Sequence, residues 1–74
     1  MEPRRKDISR EFEQNNFKCK TDTDGWSIEY VTYYNGEKDR KYQFHIGYDK
    51  LPIDSSKDFV LGYCKCEALH RGFE

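Results

Sequence analysis

The sequence feature that most constrains this chain is an Asn-Gly pair between two alternating runs. Asn35 and Gly36 both tolerate positive φ, which a tight two-residue hairpin turn requires. From Trp26 to Tyr34 every second residue is aromatic, Ile or Thr, and aromatic residues and Ile alternate with polar residues again up to Tyr48. This period of two is typical of strands with one buried face. The sequence predicts an antiparallel hairpin of residues 26–34 and 40–48, with the polar stretch to Asp39 in a loop longer than two residues.

Shorter patterns complete the predicted fold. A short helix is expected from about Ile8 to Gln14. Residues 17–21 and 59–69 alternate as strands do, and turn-forming residues separate the runs. We expect an α+β, mainly β fold: a short N-terminal helix with a small antiparallel SH3-like or Sm-like partial barrel. Residues 1–16 would form the N-terminal segment and residues 17–74 the small β domain.

The amino-acid composition limits the kinds of protein that this chain can be. The chain has 74 residues, enough for one domain, and its six Tyr, five Phe and one Trp must supply much of the core. Thirteen basic and 14 acidic residues are intermixed, which disfavours a large non-specific surface for nucleic acid. No long apolar stretch indicates a membrane span or a signal peptide. The odd number of cysteines favours a reducing, cytoplasmic location.

The cysteine and histidine residues raise the question of a metal site or a catalytic nucleophile. Cys19, Cys64, Cys66 and His70 are the residue types of a tetrahedral zinc site. Their spacing lacks the tight knuckle of structural zinc sites, and small buried thiols are the simpler interpretation. Nothing places a His beside a thiol as a catalytic base. We expect no metal, no cofactor and no enzymatic activity.

The second half of the chain resembles a WYL domain. Ile28-Glu29-Tyr30 is followed by the Asn35-Gly36 turn, then by Arg40, and residues 59–73 carry two apolar positions, Gly-Tyr-Cys and a final Arg-x-Phe. The order of these pieces is similar to the order of the strands in that family. Asp58-Phe59-Val60 stands where the family has Trp-Tyr-Leu. The family also continues past Arg-x-Phe, whereas this chain stops at Glu74, as a fragment of a longer protein would.

The resemblance implies an SH3-like or Sm-like fold and an Arg-lined groove that binds single-stranded nucleic acid or a nucleotide. Arg71 matches the Arg of Arg-x-Phe, and Arg40 matches the basic residue after the turn. Aromatic and cationic side chains on strands could complete such a groove. The candidate ligand-binding residues are Arg40, Arg71, Tyr33, Lys41, His45 and Lys65.

A different class of function is a small protein-interaction module or inhibitor, of the kind that phages and plasmids encode. The chain has more aromatic residues than so small a core can hide, and exposed Tyr and Trp are typical anchors of interfaces. An edge strand, residues 58–68 in this interpretation, could pair with a partner or with a second copy. Salt dependence separates the two hypotheses, because binding through arginines weakens with salt and an aromatic interface does not.

Overall fold

The computed structural model describes residues 10–73, which form one antiparallel sheet and one helix. The strands are β1 (Glu11–Gln14), β2 (Phe17–Thr21), β3 (Gly25–Tyr34) and β4 (Glu37–Gly47), and the helix is α1 (Lys57–His70). Strand order in the sheet follows chain order, β1-β2-β3-β4. The prediction of a mainly β fold with antiparallel strands is confirmed.

The predicted N-terminal helix is wrong where the structure describes it. Residues 11–14 are strand β1 and pair with β2 along their whole length, while residues 8 and 9 lie outside the described residues. Asn15 and Asn16, expected to end a helix, form a two-residue hairpin turn with φ of 54° and 70°. Asn tolerates this left-handed conformation, so the pair acts as a second hairpin signal.

The predicted last strand, residues 59–69, is also wrong, because this segment lies inside α1. Ser56 caps the N-terminus by accepting a hydrogen bond at Oγ from the backbone N–H of Phe59 (3.2 Å). Gly72, at φ +81°, ends the helix in a Schellman motif, in which the Phe73 N–H donates to the Ala68 carbonyl at 2.8 Å. The interaction surface expected on an edge strand of residues 58–68 therefore lies on a helix.

This helix is the reason that the sheet does not close into the expected SH3-like or Sm-like partial barrel. A barrel would need the last segment as a strand that pairs with the sheet. Here that segment covers one face of the sheet instead, and β1 and β4 remain its two edges. Among residues 10–73 no helix is long and apolar enough to cross a membrane.

The β3–β4 hairpin is confirmed, with a tighter turn than expected. Asn35 and Gly36 have φ of 55° and 82°, and Tyr34 pairs directly with Glu37, so β4 begins three residues earlier than predicted. A bulge beside Thr32 and Tyr33 takes up the extra residue. Because β2 pairs with β3 only as far as Tyr30, residues 31–41 extend as a two-stranded arm, and the molecule measures 51 × 21 × 18 Å.

The core lies between α1 and one face of the sheet, which we call the inner face. Alternate residues of β2, β3 and β4 point into it, as the period of two predicts for β3 and β4. The buried apolar residues are Phe17, Cys19, Trp26, Ile28, Tyr30, Phe44, Ile46, Leu51, Val60, Leu61, Cys64 and Ala68. The opposite sheet face, the outer face, is polar and exposed.

Trp26 joins the separate parts of this core. Its side chain is fully buried (0% exposed), and its indole Nε1–H donates to the Leu51 carbonyl at 2.9 Å. The Arg10 guanidinium lies 5.2 Å from the Trp26 ring centroid and donates from Nη1 to the carbonyls of Ile53 (2.7 Å) and Ser55 (2.6 Å). The ring and the guanidinium thus hold the loop between β4 and α1 against the sheet.

Trp26→Phe should lower the free energy of unfolding by about 2–4 kcal/mol. The change removes buried volume and leaves the Leu51 carbonyl without its donor. Chemical denaturation followed by circular dichroism measures the loss. The matched control is Tyr34→Phe, since Tyr34 is 71% exposed and its change should stay within about 0.5 kcal/mol. Equal stability of the two variants would contradict the role given to Trp26.

Candidate functional site

The six predicted ligand-binding residues do not share one surface. Strand alternation places Tyr33, Lys41 and His45 on the outer face of the sheet, away from α1. Arg40 lies on the inner-face side of the arm, across from Thr32. The remaining two residues belong to the helix segment: Lys65 is exposed on α1, and Arg71 caps its C-terminus.

Carboxylates neutralise most of the predicted cations. Lys41 Nζ lies 3.2 Å from Glu29 Oε2. Arg71 Nε donates to Glu67 Oε1 at 3.0 Å. His45 Nε2 lies 3.2 Å from Asp24 Oδ1, and Arg40 Nε is 4.0 Å from Asp39 Oδ2. Exposed pairs of this kind add little stability, but they reduce the net positive charge that a phosphate group would meet.

Arg40 and Arg71, the two arginines that match the WYL pattern, lie at either end of one run of aromatic side chains. Hydrogen bonding to the Tyr42 side chain raises the pKa of the Arg40 guanidinium. The Tyr42 ring stacks on Phe73 with centroids 4.1 Å apart, and Phe73 lies 5.9 Å from Phe44. The Arg71 guanidinium lies 5.0 Å from the Phe44 centroid. We call Arg40, Tyr42, Phe73, Phe44 and Arg71 the Arg–aromatic run.

A second candidate surface lies on the solvent-exposed side of α1. The side of α1 that faces solvent, opposite Val60, Cys64 and Ala68, carries few charges. Two large apolar side chains there are well exposed, Phe59 at 54% and Leu69 at 66%. We define the outer face of α1 by Phe59, Gly62, Tyr63, Cys66, Leu69 and His70.

The outer face of α1 contains a shallow depression beside two aromatic rings. The Phe59 and Tyr63 rings, one helical turn apart, meet edge to face with centroids 6.5 Å apart. They border a shallow, mostly apolar depression that is also lined by Asp58, Gly62, Cys66, Glu67 and His70. A surface helix normally places polar residues on this side. The apolar residues on this exposed side make the outer face of α1 a candidate contact surface.

The sequence did not reveal this surface because residues 59–69 were assigned to a strand. In a strand, Gly62 and Cys66 would share a face with Val60 and Cys64. In the helix they lie opposite those two residues. The signals that could have found the helix are the Ser56 cap and the glycine at position 72.

The three cysteines separate into a buried pair and an exposed thiol. Cys19 on β2 and Cys64 on α1 are both fully buried, with Sγ atoms 3.9 Å apart, and Cys66 is exposed. The hydrogen bond to Cys19, together with burial, raises the pKa of the Cys64 thiol, so Cys64 stays neutral at neutral pH. Within residues 10–73 no three His, Cys, Asp or Glu residues lie close enough to hold a metal ion.

Comparison with known proteins gives no match: no family model fits the chain, and no curated protein or solved structure matches it. The resemblance to WYL domains therefore stays a prediction.

Thiol reactivity tests the assignment of residues 57–70 to a helix. A thiol reagent such as Ellman's reagent should titrate one cysteine in the native protein at high dilution, Cys66, and all three after unfolding. Cys66→Ser should lower each number by one, so that the native variant does not react. Rapid reaction of two thiols in the native state would contradict the helix, because a strand would expose or bury Cys64 and Cys66 together.

Proposed function

We propose that this chain is a protein-interaction module that binds its partner through the outer face of α1. The observation that carries the proposal is the exposure of Phe59 and Leu69 on a helix whose other side already forms the core. Aromatic side chains beside an apolar depression are the usual anchors of an interface. The helix-in-groove mode, in which one apolar helix face enters a partner's groove, uses the same kind of surface.

The sheet edges are less suited to recognition than the helix. β1 has only four residues, too few for an extended ladder. β4 is longer, but its free edge begins with Glu37, Lys38, Asp39, Arg40 and Lys41 and contains the bulge. Charged residues and bulges discourage pairing with another strand. This leaves the outer face of α1 as the surface best suited to a partner.

The outer face of the sheet also fits the role of a solvated surface. Its side chains form cross-strand rows of opposite charge, with Glu11 opposite Lys20 and Glu13 opposite Lys18. Lys41 is paired with Glu29 in the same way. Such rows contribute modestly to pairing of the strands and present little net charge to a ligand.

Phe59→Glu should weaken partner binding and leave the fold intact, because Phe59 is exposed and lies outside the core. The experiment compares the proteins retained from a cell lysate by the immobilised wild type and by the variant. Each retained protein is then purified, and its affinity for both is measured by calorimetry. We expect the variant to bind at least about tenfold more weakly, the effect of losing one interface anchor.

The matched control is Tyr34→Glu, which places the same charge on an exposed aromatic residue at the tip of the arm. It should bind as the wild type does. Partners that bind wild type and Phe59→Glu equally would show that the outer face of α1 is not the interface. Trp26 emission reports whether each variant is folded, since Trp26 is buried.

A second candidate function is binding of single-stranded nucleic acid or a nucleotide, as the WYL resemblance implies. The observation that favours it is the Arg–aromatic run, in which Tyr42 and Phe73 are partly exposed and the Arg71 guanidinium lies over the buried Phe44 ring. Stacking on aromatic rings together with a few cations is how small β proteins hold single strands.

Arg71→Ala tests this second function. Because Trp26 is fully buried and a poor reporter, the assay is the fluorescence anisotropy of a labelled single-stranded oligonucleotide at two salt concentrations. The wild type should bind saturably and more weakly at high salt, and Arg71→Ala should lose about tenfold or more in affinity. Lys50→Ala, which removes one charge from the loop after β4, should bind as the wild type does. No binding, or equal binding by Arg71→Ala, would exclude the Arg–aromatic run as the site.

A further inference from the structure

Gly62 lies in the middle of the outer face of α1, where this chain gives no reason for a glycine. A Cβ atom placed at Gly62 would lie more than 4 Å from every atom of the other described elements. Glycine in the interior of a helix lowers stability relative to alanine. A missing side chain at such a position allows the backbone of another element to approach closely, as it does between packed helices.

Four residues of the outer face lie at equal distances before and after Cys64, whereas Tyr63 has the charged Lys65 as its counterpart. Two residues before Cys64 is Gly62, and two residues after it is Cys66, both small. Five residues away on either side are Phe59 and Leu69, the two large exposed apolar side chains of α1. A patch in which small residues face small ones and large apolar residues face large apolar ones when the order is reversed can pack against a second copy of itself.

The same symmetry extends to charge at the two ends of the face. Asp58 is six residues before Cys64, and His70 is six residues after it. Both border the apolar depression, together with Phe59 and Cys66. In an antiparallel pair of helices, the acidic end of one face would lie beside the imidazole of the other. The antiparallel arrangement also sets the positive end of each helix dipole beside the negative end of its neighbour.

We propose that this chain forms a two-fold symmetric dimer in which the outer faces of two α1 helices pack antiparallel. Gly62 of each copy faces Cys66 of the other at the crossing, and Phe59 packs on Leu69 of the other copy on either side. Asp58 and His70 close the two ends of the contact. A two-fold interface uses the same patch on both copies, which the matched spacing of these residues satisfies. The dimer rests on the proposed function, since it names a second copy as the partner of the same surface.

The first test is the mass of the protein in solution, measured by sedimentation equilibrium over a range of concentrations. The wild type should have twice the monomer mass at high concentration and dissociate on dilution. Gly62→Leu should weaken the dimer at least about tenfold, because its side chain separates the helices at their crossing. The variant should fold, since the added side chain meets open space in the monomer and leucine favours a helix.

The matched control is Gln43→Leu, which adds the same side chain to an exposed position on the outer face of the sheet. It should dimerise as the wild type does. Equal dimerisation by Gly62→Leu would overturn the proposal. Circular dichroism confirms that both variants keep the helix.

A second test fixes the direction of the helices. Oxidation of Gly62→Cys with copper phenanthroline should give a covalent dimer on a non-reducing gel, through a bond to Cys66 of the other copy. Adding Cys66→Ser should remove this product. A product that survives Cys66→Ser would show that positions 62 of the two copies meet, which overturns the antiparallel arrangement.

Failure of the dimer and failure of the proposed function give different results. A wild type that stays monomeric at concentrations up to about 1 mM would overturn the dimer, since even a weak association reaches that dissociation constant. The proposed function would then still hold if a different purified partner binds the wild type and loses affinity for Phe59→Glu. It fails if Phe59→Glu binds every such partner unchanged.

Discussion

The burial of Trp26 is the constraint on which the rest of the structure depends. Its ring is too large for a sheet of this size to hide alone, and its indole N–H needs an acceptor once water is removed. The acceptor is the Leu51 carbonyl, in the loop before α1, and the Phe12 ring of β1 lies 6.3 Å away, edge to face. The first strand, the central strand and the loop are therefore held by one side chain. Their positions direct the next segment back across the inner face as a helix.

The sequence predicted the part of the fold that rests on local signals. Asn35-Gly36 and the alternation on either side defined the β3–β4 hairpin and the inward-facing residues Trp26, Ile28 and Tyr30. These predictions succeeded because turn chemistry and a period of two act within a few residues. The same rule applied to Asn15-Asn16 would have found the β1–β2 hairpin in place of a helix.

The last segment could not be assigned in this way because three of its four buried residues satisfy two periods at once. Val60, Cys64 and Ala68 are four apart, which suits both a strand and one face of a helix. Leu61, which the helix buries beside Val60, and the exposed Gly62 and Cys66 separate the two alternatives, and none of these three residue types is decisively polar. Tertiary packing decides between strand and helix for this segment. The aromatic inner face of the open four-stranded sheet must be buried, and no other described segment packs against it. The candidate surface on α1 depends on that outcome, so it too lay beyond sequence reasoning.

The arm of residues 31–41 has a consequence for the dynamics of the molecule. Beyond Val31, whose N–H donates to the Asn16 carbonyl at 3.0 Å, the backbone hydrogen bonds of the arm join only two strands, and a two-stranded ribbon is marginal in water without further support. The arm is supported at its base, where Tyr42 stacks on Phe73 beyond the end of α1. Amide protons should therefore exchange with solvent fastest near Asn35, and their protection should rise in steps towards the Tyr42–Phe73 stack. Loosening of the C-terminal end of α1 would weaken this stack and lower the free energy needed to open the arm. The arm and the end of α1, which are far apart in the sequence, therefore share one local unfolding equilibrium.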